Sequence, residues 1–273
     1  MRRDRSALLV NVALVAGAAV TLVPLLWMIS ASFMPQGQAN MEPPVLIPHP
    51  PTLEHYRTLF TRMNIARTFR NSLVLAVLVT TGSLLFNSMA GYAFAKLRFA
   101  GREKIFAFLV AALAIPVQVA MLPLFLLVKG LGLVNSLWGI IVPGLAGIFG
   151  IFLIRQYARS IPDEVLEAAR LDGAGELRIY WKIVLPLIRP ILVTLALFTF
   201  LGSWNDFLWP LVVLTDESRY TLPVALANLV GEHVQDTELM MAGSVLTILP
   251  VLLVFLALQR HYVEGIMMGS VKE

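Results

Sequence analysis

Side chains able to make or break bonds are few in this chain and are not grouped. The four histidines, His49, His55, His233 and His261, lie between apolar runs or at the end of one. No buried imidazole is therefore expected for a proton relay or a metal site. Neither HExxH nor GxSxG occurs, and the absence of cysteine removes disulfides and thiol nucleophiles. No lysine stands in a GxxxxGK[ST] setting, so the chain has no loop of its own in which to cradle and hydrolyse ATP. A catalytic residue, a resident cofactor, a metal and a nucleic-acid partner are all unexpected.

Two polar features remain. Asp206 is the one ionisable residue inside the apolar run from Pro190 to Leu214, and acids at such depth usually face a bundle interior or water. Asn205 and Trp209 are expected to share a helical face beside it, with Pro210 freeing a carbonyl in the preceding turn. The second feature is the mixed-charge stretch 155–189. Pro162 and Asp163 suit a first helical turn, Glu164, Glu167 and Arg170 recur at helical spacing, and Gly173 closes the element. Val165, Ala168 and Ala169 form a small apolar face. A second short helix is predicted from about Glu176, with Leu177, Tyr180, Trp181 and Val184 on one stripe, ending at Leu185-Pro186. Such a helix-turn-helix either meets a partner or merely rests at a membrane surface.

Membrane spans must position both features. The chain has 273 residues, 58% hydrophobic and 14% charged, with a mean hydropathy of +0.78. Soluble domains carry about 25% charge, so a soluble enzyme or a disordered protein is excluded. Because an ionised side chain at mid-bilayer costs at least about 2.5 kcal/mol, charge-free runs locate the crossings. A first span is expected near Ala7 to Phe33, followed by Asn71 to Ala95, Ile105 to Val128 and Gly130 to Ile154. Pro190 to Leu214 and Leu239 to Gln259 complete six. Arg2, Arg3 and Arg5 precede an apolar run too long for a signal peptide, so the first span reads as retained. The expected fold is all-α: one polytopic domain over 1–273, with the N-terminal tail and first span in 1–35.

With six spans both termini share a side, and that side holds 1–5, 96–104, 155–189 and 260–273. These segments carry 3, 4, 6 and 2 Lys or Arg, fifteen of the 21 in the chain. The positive-inside rule makes this side, and both termini, cytoplasmic. Arg57, Arg62, Arg67 and Arg70 run against the trend in the first outer loop. No Lys or Arg is expected within a span, which suits an uncharged solute better than a phosphate or carboxylate.

Glu167-Ala168-Ala169, Gly173 and Ile183-x-Leu185-Pro186 match the EAA-x3-G-x9-I-x-L-P signature at every fixed position. Flanking runs extend the match: Ile161-Pro162-Asp163-Glu164, Ala114-Ile115-Pro116 to Pro123-Leu124-Phe125, Gly130 to Ser136, and Ser203-Trp204-Asn205-Asp206. The chain resembles permease subunits of binding-protein-dependent ABC importers over about 56–272, and its tail is similar to the carbohydrate-uptake, maltose-type branch. It ends in Lys272-Glu273 where Lys-Gly is usual.

The resemblance implies that 155–189 is a cytoplasmic coupling loop. Glu167, Ala168, Ala169, Asp172, Gly173, Ile183, Leu185 and Pro186 would then dock on a dimeric ATP-binding subunit that holds ATP and magnesium. Gly269, Ser270, Val271 and Lys272 would reach the same subunit. A second homologous permease, an extracytoplasmic solute-binding protein and membrane lipid are the other implied partners, at the bacterial inner membrane. Trp204, Phe207 and Trp209 suit either stacking on sugar rings or an interfacial belt. Asn205, Asp206, Gln118 and Asn87-Ser88 line the path or bond adjacent helices. The rival function is an ATP-independent carrier or channel using Asp206, which leaves the loop motif unexplained.

Overall fold

The computed structural model describes the backbone of residues 2–61, 64–232 and 236–268, and side-chain surroundings for 10–61, 64–228 and 236–257. Among these residues every regular element is helical. In chain order they are α1 (Arg2–Ala31), α2 (Glu54–Thr61), α3 (Ile65–Lys96), α4 (Arg102–Ala112), α5 (Val117–Gly130), α6 (Trp138–Gly144) and α7 (Ile148–Ala158). There follow α8 (Asp163–Leu171), α9 (Glu176–Ile179), a π turn (Tyr180–Val184), α10 (Leu185–Leu187), α11 (Arg189–Trp204), α12 (Leu208–Val213), α13 (Leu222–Glu232) and α14 (Thr237–Met268). Helices satisfy their own backbone groups, which lipid cannot do for them.

Four segments are long and apolar enough to cross a membrane: Val10–Ala31, α3, Trp138–Ala158 and Thr237–Ala257. Two bent pairs, α4 with α5 (109°) and Glu176–Leu187 with α11 (80°), raise the number to six when each pair is one crossing. The expected run Ile105 to Val128 is thus not one straight helix. It breaks at 113–116, just before Pro116, whose ring disfavours helix in the residue ahead of it.

The chain divides into two compact units. The first joins 1–67 to 225–250. Within it Glu238, fully buried near the start of α14, accepts the Ala39 N–H at 2.7 Å, and Asp236 caps the same helix through the Leu239 N–H. His55, expected in an open loop, is 5% exposed: its Nε2 lies 2.9 Å from the Met34 carbonyl and its Nδ1 3.7 Å from Asp236. Hydropathy misses it because α2 is a short amphipathic helix that buries His55 and Leu59 together.

The second unit, 68–224 with 251–273, holds the loop and the cavity described below. Its organising element is α3. Asn71, Ser72, Ser83, Asn87, Ser88 and Tyr92 are buried, whereas Leu73, Val77, Leu78, Phe86 and Met89 are exposed. With Leu75, Ala76 and Val79, which are buried too, the inward positions recur at three- and four-residue steps, so this helix keeps its polar groups on the inner face and an apolar surface outside, as lipid requires. Close approach of α7 to α3 depends on glycine. A Cβ on Gly91 would meet Ile154 Cβ at 2.6 Å, and one on Gly150 would meet the Asn87 amide at 2.3 Å. Overpacking at such a contact costs about 1–3 kcal/mol. Gly91→Val is expected to lower the thermal midpoint of the detergent-solubilised protein, whereas Gly17→Ala, with nothing within 4 Å, leaves it unchanged.

Candidate functional site

Three backbone interruptions meet around one cavity of about 720 Å³ in the second unit. Between α4 and α5 the chain turns through i→i−3 bonds of Leu113, Ala114 and Ile115. Between α6 and α7 the Gly147 N–H donates to Asn87 Oδ1 at 3.0 Å, and Asn87 Nδ2 donates to Ser83 Oγ at 2.7 Å. The third break, 205–207, separates α11 from α12. Val117, Gly147 and Asn205 to Phe207 all line the cavity.

Asp206 therefore does not sit in the middle of a continuous helix. Its Oδ1 accepts the Trp209 N–H at 3.4 Å, in the first turn of α12. Asn205 and Trp209 are not one helical turn apart, because Asn205 ends α11 and Trp209 begins α12. Pro210 is also in that first turn, where an N–H has no intrahelical partner anyway, so it orphans no carbonyl. A short acid capping an interrupted helix is the physical reason for its depth. The signal lay in Asn205-Asp206 followed by Pro210, a stop and restart that hydropathy averages away.

Of the expected path residues, Asn87, Gln118, Asn205, Asp206 and Trp209 all line the cavity, joined by Ser83, Ser203 and the rings of Phe149, Phe198 and Phe207. Trp209 also donates through Nε1 to the Gly139 carbonyl at 3.2 Å, which fixes its ring. Trp204 does not join them: it is 1% exposed and packs on Phe200 and Phe69. Ser88 points to another partner, the Tyr180 hydroxyl at 2.7 Å. Among the described lining residues Asp206 is the only acid, and no Lys, Arg or His accompanies it. Such a surface offers hydrogen bonds and aromatic faces, and its described residues include no cation to pair with an anion.

The loop after α7 is built to protrude. Pro162 precedes α8, Asp163 and Glu164 occupy its first turn, and Arg170 its last. Gly173, at φ +80°, closes it: its N–H bonds to the Arg170 carbonyl and the Ala174 N–H to the Ala169 carbonyl, both at 3.0 Å. This pair of bonds is a Schellman cap, which needs a left-handed residue at Gly173. Leu166, Ile179, Tyr180, Val184 and Ile188 are buried in one apolar cluster with Tyr92, Ile154 and Ile161. Outward stand Glu167, Ala168 and Asp172, with Leu171 89% exposed.

Two details differ from expectation. Leu177 and Trp181 are exposed rather than on the buried stripe, and Pro186 does not end the helical path. The π turn accounts for Pro186, whereas Leu177 precedes that turn and is left outside with Trp181 because the cluster takes Ile179, Tyr180 and Val184 from this stretch. Leu185 N–H reaches back to the Tyr180 carbonyl, and the extra residue in the turn rotates everything after it and relieves the clash that Pro186 causes in α geometry. Ile183 and Leu185 are half-buried against the cluster. Arg155, expected at the loop's edge, belongs to the last turn of α7 and is 7% exposed. Its guanidinium lies 3.8 Å from the Phe106 ring centroid and pairs with Glu103 at 2.9 Å. Gly269 to Lys272 lie outside the described residues.

At the loop's entrance Lys96 donates to Asp163 at 2.7 Å and to the Ile161 carbonyl at 2.5 Å. This hydrogen bond and the ammonium charge hold the Asp163 carboxyl below its ordinary range. A carboxyl depressed on folding stabilises above its unfolded pKa and loses that contribution as pH falls through the folded value. The thermal midpoint of wild type is expected to exceed that of Asp163→Asn by a constant margin from about pH 8 to 5, and the margin to shrink below about pH 4.

Helices interrupted around a cavity, with an exposed capped loop beside them, fit a polytopic membrane transport subunit. The comparisons make this specific: the family model for the binding-protein-dependent transport system inner membrane component matches residues 87–267, and the chain belongs to that family. It is 40% identical over 258 residues to the arabinooligosaccharides transport system permease protein AraQ of Halalkalibacterium halodurans, covering 93% of this chain and 92% of the relative. It is 33% identical over 270 residues to the diacetylchitobiose uptake system permease protein NgcG of Streptomyces coelicolor, covering 97% and 89%. Among solved structures, a chain of a bacterial ABC transporter that imports the acidic polysaccharide alginate superposes with a TM-score of 0.83 at 28% identity, over 96% of this chain and 98% of that one. The chain is thus an ABC importer permease of the inner membrane, and ATP hydrolysis is the work of a separate subunit.

Proposed function

We propose that this permease is one of two six-span subunits forming the channel of an importer for an uncharged oligosaccharide or related carbohydrate. A solute-binding protein delivers the sugar from outside, and a dimeric ATPase holding ATP and magnesium drives the cycle. Both termini and the loop 155–189 face the cytoplasm, as fifteen of 21 basic residues there favour. The observation that carries the reading is the protruding α8, whose rear is locked into the core through Leu166 while Glu167, Ala168 and Leu171 stand free for a partner. A rigid surface helix of this kind passes on rigid-body movement instead of absorbing it. Gly269 to Lys272 add a second contact with the ATPase.

Oligosaccharide named for AraQ and diacetylchitobiose named for NgcG support a sugar as cargo. The lining narrows its charge: with Asp206 and no cation, this subunit does not suit an acidic polymer such as the alginate of the structural neighbour. Aromatic rings at Phe149, Phe198 and Trp209 offer stacking surface, and Gln118 and Asn205 offer hydrogen bonds. Alternating access follows when ATP draws the two coupling loops together and reverses the opening of the cavity.

Glu167→Lys is expected to abolish co-purification with the ATPase and uptake, with membrane insertion intact; normal uptake in that variant contradicts the coupling role. Asp206→Ala removes both the charge and the cap. It is expected to reduce uptake of a neutral oligosaccharide by about tenfold, the effect of losing one hydrogen bond to a charged group, and unchanged uptake removes Asp206 from the path.

A further inference from the structure

Helix α3 carries two sets of polar side chains that face different tasks. Ser83 and Asn87 line the cavity, and Asn87 holds the Gly147 N–H at the start of α7. Ser88, Tyr92 and Lys96, on the same helix, all end on the loop. Ser88 Oγ lies 2.7 Å from the Tyr180 hydroxyl. Tyr92 donates its hydroxyl proton to Glu176 Oε2 at 2.8 Å, while Arg170 Nε donates to Glu176 Oε1 at 2.7 Å. Lys96 binds Asp163 and the Ile161 carbonyl.

The attachment is thus distributed over the whole loop: Asp163 opens α8, Arg170 stands in its last turn, Glu176 opens α9 and Tyr180 lies in the π turn. Ser88, Tyr92 and Tyr180 are each at most 3% exposed, so the Ser88–Tyr180 bond is shielded from water, while Tyr92 reaches out to Glu176 at the surface of the loop. From Asn87 to Tyr92 the helix rises about 7.5 Å, at 1.5 Å per residue. No break interrupts α3 across that distance.

We propose that α3 is the rod through which displacement of the coupling loop reaches the cavity wall, with Tyr92, Ser88, Tyr180 and Glu176 as its positioning residues. The proposal rests on the coupling-loop reading above and adds a route to it. Covalent continuity alone would move only α7 and α11, which flank the loop. The hydroxyl contacts add α3, which follows the loop without being joined to it in sequence. Asn87 then transmits the same displacement to the break between α6 and α7.

The test uses the complete importer reconstituted in proteoliposomes, with Tyr92→Phe, Tyr180→Phe and the double variant. Each substitution removes one hydroxyl and keeps the ring, and Tyr180→Phe carries the test if Tyr92→Phe fails to assemble. Expected are normal co-purification with the ATPase, continued ATP hydrolysis stimulated by loaded binding protein, and uptake per ATP reduced roughly 2- to 30-fold, the range for residues along a coupling network. The double variant falls further than either single one. An unchanged ratio of uptake to ATP in all three overturns the proposal. A loss of assembly in parallel with uptake in all three also overturns it, because the contacts would then only attach the loop. Glu167→Lys run alongside separates the levels: normal uptake there removes the coupling reading itself, whereas loss of ATPase association and uptake there with an unchanged ratio in the tyrosine variants removes only the rod.

Discussion

A buried backbone N–H or C=O with no partner costs several kcal/mol in hydrocarbon, and that penalty dictates where this chain can stop being helical. Non-helical backbone is tolerated at membrane depth only where protein or a water-filled cavity receives it. The interruptions at 113–116, 145–147 and 205–207 obey this by bordering a single cavity. Each has its own donor or acceptor arrangement: tight i→i−3 bonds at the first, Asn87 at the second, Asp206 at the third. Polar residues that look like a solute path are thus also what makes the path possible. Asn87 and Asp206 hold open the ends of helices, and a ligand meets whatever capacity remains.

The same economy of polar contacts ties the loop to the spans. Apolar packing around Leu166, Ile179 and Val184 fixes the loop's rear without direction. Direction comes from hydrogen bonds, since Lys96, Tyr92 and Ser88 each meet a particular atom at a particular angle. The Schellman cap at Gly173 satisfies the Ala169 and Arg170 carbonyls at the end of α8. What results is a surface helix anchored to the spans by both apolar packing and hydrogen bonds.

Much of this was legible in the residue string. Apolar runs without charge located the four long apolar helices and overlap both bent pairs, because the cost of a buried charge is large and local. Pro162 and Gly173 marked the ends of α8, since one presets φ and the other supplies a left-handed cap. The motif led to the family. What was hidden depends on geometry. Hydropathy cannot distinguish a straight span from one bent by 109°, as both are equally apolar. From the stretch after Glu176 the core takes Ile179, Tyr180 and Val184, so Leu177 and Trp181, which share their apolar stripe in the sequence, came out exposed. Trp204 went into an aromatic cluster with Phe69, and His55, on the inner face of α2, against the Met34 carbonyl, because neighbours distant in sequence cover them.

The absence of cysteine makes one measurement especially direct. A single Ala168→Cys substitution places a thiol on the exposed face of α8 and nowhere else in the chain. Labelling with a membrane-impermeant maleimide, in intact cells and in inverted membrane vesicles, reports which side the loop faces, and a bifunctional thiol reagent reports what it touches. The account predicts protection in cells, labelling in inverted vesicles and a cross-link to the ATPase. Labelling from outside the cell, with no cross-linked partner, would contradict it.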